Sequence, residues 1–285
     1  MAITIEPIGE AELQELAHRY RVNLDVASAA GTTGEMAGRE TGASVEIQDF
    51  RDYVPGDDLR RIDWMAYGRT DRLVVRLYRE EVSPFFDVLV DTSASMAIPD
   101  GRKGALAGEI SRWLYHSARA QGLAVRLYSA GRDLHRVEMP EELVFDEPES
   151  VIFSAPARAS AVLRRSSVRL LLSDFLDPAD PQAVLRKFAA GCSELIVVQL
   201  LGPWERDPAA EGPAVLDAVE LRRREDINLN HRTIESYRRR LNGLLAALRE
   251  GVFRCGGHHL EVVADRELET ALREDFLPAG LVEVY

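Results

Sequence analysis

Three apolar runs constrain this chain more than any other feature: Phe85–Val90, Val168–Leu172 and Leu195–Leu201. Each has the length of a strand, and none alternates polar with apolar residues. A strand with one wet face alternates, whereas a strand covered on both faces reads as a near-continuous apolar run. Helical stretches separate them: Arg102–Gln121 after the first, Pro181–Ala190 after the second and Thr233–Arg249 after the third, followed by a strand at His259–Val263. Strands alternating with helices predict an α/β fold built on a mostly parallel sheet with helices on both faces.

The remaining elements fit around this frame. Leu123–Tyr128 and Leu134–Val137 read as strands joined by the turn signal Ala130-Gly131-Arg132-Asp133. Ala159–Arg165 and Glu267–Phe276 read as helices, and Ala214–Leu221 with Asp226–Leu229 as a small extra hairpin. In Thr233–Arg249 the residues Tyr237, Leu241, Leu244, Leu245 and Leu248 recur at helical spacing and predict a core stripe. Before residue 84 the pattern differs. Glu10–Tyr20 is an amphipathic helix with Leu13, Leu16 and Tyr20 on one face. Residues 27–44, rich in Ala, Gly, Ser and Thr, read as a loop. Asp57 or Asp58 is placed to cap a short helix at Leu59–Tyr67, and Leu73–Tyr78 reads as a strand. The division is therefore a β-containing N-terminal extension, 1–83, and a main domain, 84–285. The extension has too little apolar material for a core of its own, so it is expected as an added layer.

Charge narrows the function. The 285 residues carry a net charge of -12, which disfavours phosphate backbones and anionic membrane surfaces. No apolar run is long enough to span a bilayer, and no cationic start followed by an apolar run opens the chain. The two cysteines, Cys192 and Cys255, lie in no CxxC spacing and read as buried free thiols, which suits a reducing cytoplasm.

In open α/β sheets ligands bind beyond the carboxyl ends of the strands. Two acidic loops stand at such ends: Asp91-Thr92-Ser93-Ala94-Ser95-Met96 and Ser173-Asp174-Phe175. The first resembles the metal-ion-dependent adhesion site of von Willebrand factor A domains, D-x-S-x-S. Its chemistry is intelligible from residue types, because a hard cation takes oxygen ligands in octahedral geometry and keeps several waters. Ser93 and Ser95 offer hydroxyls to Mg²⁺ or Mn²⁺, Asp91 supplies charge through water, and Asp174 adds a second carboxylate. With few charged direct ligands the metal stays electrophilic, and the resemblance implies an open position for a carboxylate of a partner protein. That family also takes a threonine from the intervening chain. Here no threonine lies between Thr92 and Thr233, so Ser150, Ser154 and Ser160 are the candidates to stand in.

The stretch Arg51-Asp52-Tyr53-Val54-Pro55-Gly56-Asp57-Asp58-Leu59-Arg60-Arg61-Ile62-Asp63-Trp64, then Arg69 and Leu73-Val74-Val75-Arg76, precedes Asp91–Met96 closely. This pairing resembles the bacterial and archaeal family called domain of unknown function 58, in which Gly68 stands here for a usual alanine. The resemblance implies a von Willebrand factor A-like (Rossmann-like) fold. It also implies a non-enzymatic adaptor for a MoxR-type AAA+ ATPase, acting on client proteins in complex assembly or maturation, and the cysteine usage above places that adaptor in the cytoplasm. The arginines from Arg60 to Arg79 make the signature segment the most basic part of an acidic chain. It reads either as a local capping and packing motif, with Tyr53, Ile62 and Trp64 packed, or as a docking surface for an acidic partner.

Two alternatives stand beside the adaptor. One is a metal-free scaffold of the same fold. The other is a hydrolase or phosphotransferase using Asp91, against which Ser93 occupies the place of the second carboxylate such enzymes need. No G-x-S-x-G elbow, phosphate loop or HExxH occurs, and His258-His259 reads as an ordinary strand start.

Overall fold

A computed structural model describes residues 8–23, 45–55, 57, 59–80, 85–98, 101–177, 180–208, 212–218 and 223–285. The stretch 27–44, Gly56 and Asp58 fall outside them. The described residues 8–23 and 85–285 form one compact unit, and 45–80 a second. The opening helix thus groups with the main domain and not with the segment that follows it.

In the larger unit the strands are β1 (Tyr20–Val22), then β4 to β12 after β2 (Val45–Asp52) and β3 (Val74–Glu80) of the smaller one. Its central sheet is six-stranded and mostly parallel. It contains β4 (Phe85–Asp91), β5 (Ala124–Ala130), β6 (Leu134–Val137), β7 (Val168–Ser173), β8 (Glu194–Leu201) and β11 (His258–Val263), in the order β11-β8-β7-β4-β5-β6. Only β6 in this sheet runs antiparallel to its neighbour. The apolar runs are continuous because successive side chains enter different cores. Val88, Val90, Leu170, Leu172, Ile196 and Val198 join one core with Trp113, Ile110 and Phe276, while Leu89, Leu171, Leu195 and Val197 join the other with Phe188, Leu248 and Val252. Helices therefore cover both faces, as the sequence predicts.

The helix Arg102–Ala120 lies on the first face with Glu10–Arg19. Leu13, Leu16 and Tyr20 are buried. Trp113 donates Nε1–H to the carbonyl of Tyr20, the indole finding its partner inside the core. Tyr20–Val22 pairs with β12 (Val282–Val284), a strand too short to be read from sequence. The second face carries Pro181–Ala189 and the long helix His231–Arg254, whose Leu241, Leu245 and Leu248 are buried as the stripe predicts. The hairpin appears as β9 (Gly212–Ala218) and β10 (Arg223–Leu229) in register. Cys192 and Cys255 are free and half-buried. Among the described residues no helix is long and apolar enough to cross a membrane.

Several sequence expectations need correcting. The helix expected over Ala159–Arg165 starts earlier and stops sooner, at Pro156–Ala161, and a further short helix, Val151–Ser154, precedes it. The last helix is α-helical only over Leu268–Ala271 and then π-helical over Leu272–Phe276. In the smaller unit β2 and β3 form an antiparallel pair with a register shift between Ile47 and Asp49. Leu59–Arg61 is a 3₁₀ turn, and the helix runs Trp64–Thr70. Its cap is Asp63, whose Oδ1 accepts from the N–H groups of Met65 and Ala66, and not Asp57. Asp57 is held bidentately by Arg51 and accepts from Val54 N–H. Ile62 is buried, but Trp64 is 60% exposed and meets Tyr67 edge-on instead of packing inward.

Candidate functional site

The sheet order makes β4 the centre from which the chain departs both ways, to β5 on one side and to β7 on the other. The carboxyl ends of β4 and β7 are thus the switch point, the place at which such sheets bind ligands. Asp91 ends β4, and Ser173 ends β7 with Asp174 directly after it.

Asp91 is 1% exposed. Its Oδ1 accepts from the Ser93 N–H at 2.9 Å and the Ser93 hydroxyl at 2.7 Å. Its Oδ2 accepts from the Ser173 hydroxyl at 2.6 Å. Burial, and then the nearby Asp174 charge, push the Asp91 carboxyl up to about 6, although the Ser173 and Ser93 hydrogen bonds oppose this. The Ser93 and Ser95 hydroxyl oxygens lie 3.0 Å apart. The loop is braced by the chain around Glu147, whose N–H donates to Thr92 carbonyl and whose carbonyl accepts from Ala94 N–H at 2.7 Å. Gly131 makes room for that chain, since a Cβ there would fall 2.2 Å from Glu147 Cγ.

Asp174 is also buried. Its Oδ1 accepts from Leu176 N–H at 3.1 Å, its Oδ2 from Lys103 Nζ at 2.8 Å, and its carbonyl from the amide of Gln199 at 2.9 Å. Lys103 also reaches Glu205 Oε1 at 2.7 Å, and Glu205 Oε2 accepts from Gly202 N–H. Burial pulls the Lys103 ammonium down, but Asp174 and Glu205 outweigh it, so its pKa lies above the usual lysine range. Phe175, next to Asp174, holds a left-handed backbone with φ 53, rare for a bulky side chain and of the kind found at functional turns.

The structure therefore places Asp91, Ser93 and Ser95 in one hydrogen-bonded group, with Asp174 close enough for its charge to act on Asp91. Ser154 and Ser160 do not share a hydrogen bond with the Asp91–Ser95 loop. Ser154 is exposed at a helix end, and the Ser160 hydroxyl bonds the Ala157 carbonyl of its own helix. Ser150 is buried with its hydroxyl on the Ala130 carbonyl. Sequence reasoning missed Lys103, Glu205 and Gln199. The one available signal was a lysine in the first turn of a helix, where the dipole favours anions.

The donor set fits a hard divalent cation. Neighbouring ligands in an octahedron with metal–oxygen bonds of about 2.0–2.1 Å stand roughly 2.9 Å apart, close to the Ser93–Ser95 spacing. Ser93 gives its proton to Asp91 and so accepts from the Ser95 hydroxyl, which leaves one of its two oxygen lone pairs free. The carboxylates of Asp91, Asp174 and Glu205 and the Lys103 ammonium together carry two net negative charges, which a divalent ion would balance. Among the described residues no three His, Cys, Asp or Glu side chains converge as a metal group, so any cation here leans on hydroxyls.

Behind the site, His259 reaches the Gln199 Oε1 at 3.3 Å. Burial, reinforced by the Arg249 charge, lowers its pKa to about 4 against the opposing effect of Glu261. The folded-state value lies below the unfolded one of about 6.5, so the neutral ring's contribution is complete above pH 6.5. It is lost as pH falls toward 4, by about 3 kcal/mol in all. Urea midpoints at pH 7 and pH 4.5 check this: His259→Gln should lose less stability on acidification than the wild type. An equal loss in both proteins would refute it.

Similarity to solved structures is distant. A conserved hypothetical protein BatB from Bacteroides thetaiotaomicron aligns with 13% identity and a TM-score of 0.37, over 67% of this chain and 94% of that one. An aerotolerance-related membrane protein from Bacteroides fragilis aligns with the same identity and TM-score, over 69% of this chain and 98% of that one. Uncharacterized proteins of Mycobacterium bovis and Mycobacterium tuberculosis are 25% identical over 252 residues, covering 82% of this chain and 79% of theirs. Residues 49–246, from β2 through the hairpin into the long helix, match the family described as protein of unknown function DUF58, and the chain belongs to that family.

Proposed function

We propose that the loops at Asp91 and Asp174 form a divalent-cation site of the metal-ion-dependent adhesion type on a von Willebrand factor A-like fold, and that the protein is a non-enzymatic docking module. Mg²⁺ or Mn²⁺ is held by the hydroxyls of Ser93 and Ser95, with Asp91 behind them. The bound cation supplies an open coordination position for a carboxylate of a client protein. The family resemblance supports work beside a MoxR-type AAA+ ATPase in the assembly or maturation of protein complexes. The observation that carries the cation reading is the pair of serine oxygens 3.0 Å apart, with Ser93 donating to the buried Asp91.

Titration of Mn²⁺ into the chelator-stripped chain by calorimetry tests it. Saturable binding of one ion per chain at submillimolar to millimolar concentration is the expected result. One observation favours a second reading, a metal-free scaffold: Asp174 already holds an ammonium. Absence of heat at millimolar Mn²⁺ and Mg²⁺ would select that scaffold.

A further inference from the structure

Lys103 brings a cation of its own to this site. It is 1% exposed and sits between Asp174 and Glu205, at 2.8 and 2.7 Å. Two features set it apart from a structural lysine. It lies in the first turn of the helix Arg102–Ala120, where the macrodipole disfavours positive charge. A buried ion pair is also a costly way to fill space, because an apolar side chain of similar volume usually serves stability as well or better. What the lysine does change is the charge offered to an incoming ion. It donates to Asp174 Oδ2 while Leu176 N–H donates to Oδ1, so each oxygen of that carboxylate already accepts one hydrogen bond and Oδ2 faces an ammonium.

We propose that Lys103 is an internal competitor for the divalent cation at Asp174. It keeps Asp174 from ligating the ion directly and sets the affinity for free metal low. The bound ion then keeps enough positive charge to take a carboxylate from a partner. This rests on the divalent-cation reading above and adds the residue that tunes it. The alternative, a lysine that merely holds the loops in place, predicts the opposite sign, because removing it would loosen the site and weaken metal binding.

The test is calorimetric titration of Mn²⁺ into the full chain, comparing wild type with Lys103→Met and Lys103→Gln. Glutamine keeps N–H donors for the carboxylates and loses only the charge, so it covers the case in which the methionine variant does not fold. Thermal melts show which proteins are folded. Releasing the Asp174 charge that Lys103 now neutralises is expected to tighten Mn²⁺ binding by about 10- to 100-fold. In Lys103→Gln/Asp174→Asn the gain should vanish, since the lysine acts through Asp174. Wild-type binding with no tightening in either folded lysine variant overturns the proposal and leaves the cation site standing. A gain that survives Asp174→Asn overturns the route through Asp174. No binding in wild type or variants at about 10 mM Mn²⁺ overturns the cation site and the proposal with it.

Discussion

Asp91→Asn is expected to lower Mn²⁺ affinity at least about 100-fold, which corresponds to roughly 2.7 kcal/mol. The substitution keeps the shape and removes a charge. Asp91 accepts from the Ser93 N–H, the Ser93 hydroxyl and the Ser173 hydroxyl, and the proton that Ser93 directs to it leaves that oxygen a lone pair that a cation at the proposed site would use. An amide binds that hydroxyl less strongly, since charge-assisted hydrogen bonds are roughly twice as strong as neutral ones. The variant also supplies one fewer negative charge. Thermal melts with increasing Mn²⁺ give an independent readout. A ligand bound only by the folded state raises stability by about 2.7 kcal/mol at a hundred times its Kd, so the wild-type midpoint should climb while that of Asp91→Asn stays flat. Without metal the sign reverses. Burial and the Asp174 charge raise the Asp91 pKa to about 6, so its ionised form at neutral pH opposes folding. That destabilisation is absent below the unfolded-state value and grows as pH rises through 6. Metal-free Asp91→Asn should therefore be at least as stable as wild type at pH 7. A variant that still binds Mn²⁺ within a few-fold of wild type would remove Asp91 from the site.

Arg169→Met is expected to cost about 3 kcal/mol of stability, from three carbonyls that lose their charged donor at about 1 kcal/mol each. Arg169 is 2% exposed near the start of β7. Its guanidinium donates to the carbonyls of Phe188, Ala190 and Arg164 at 2.7, 3.1 and 2.8 Å, and to the Ser167 hydroxyl at 3.3 Å. Phe188 lies in the last turn of Pro181–Ala189, where a cation suits the helix dipole. Methionine fills much of the volume but takes the donor from these carbonyls, of which that of Phe188 is in a buried residue and those of Ala190 and Arg164 are in exposed ones. At roughly 2–4 °C per kcal/mol for a unit of this size, the melting midpoint should fall by about 6–12 °C. Mn²⁺ affinity should not change, because Arg169 stands at the opposite end of β7 from Asp174. A fall of less than 2 °C, or a matching loss of metal binding, would contradict this division between a stabilising end of the sheet and a binding end.

Much of this protein is determined locally. Strands buried on both faces announce themselves as apolar runs, and the long helices by their period, because side-chain direction follows from backbone geometry alone. Asp91, Ser93 and Ser95 fall together for the same reason: they are close in sequence, and a turn after a buried strand sets them beyond its carboxyl end. Other elements were hidden because their pattern is broken or too short. The register shift between Ile47 and Asp49 interrupts the alternation of β2, as bulges do. Tyr20–Val22 and Val282–Val284 are three residues each and exist only through each other. Asp63, not Asp57, caps the helix at Trp64, because Arg51 and the Val54 N–H already engage Asp57. The tertiary structure alone decided the partners of the site. Ser173 reaches Asp91 across 82 positions, and Lys103 reaches Asp174 and Glu205 across 71 and 102. No local pattern encodes such pairs. They arise where parallel strands end side by side, and a buried charge persists there only because the fold delivers its counter-charge.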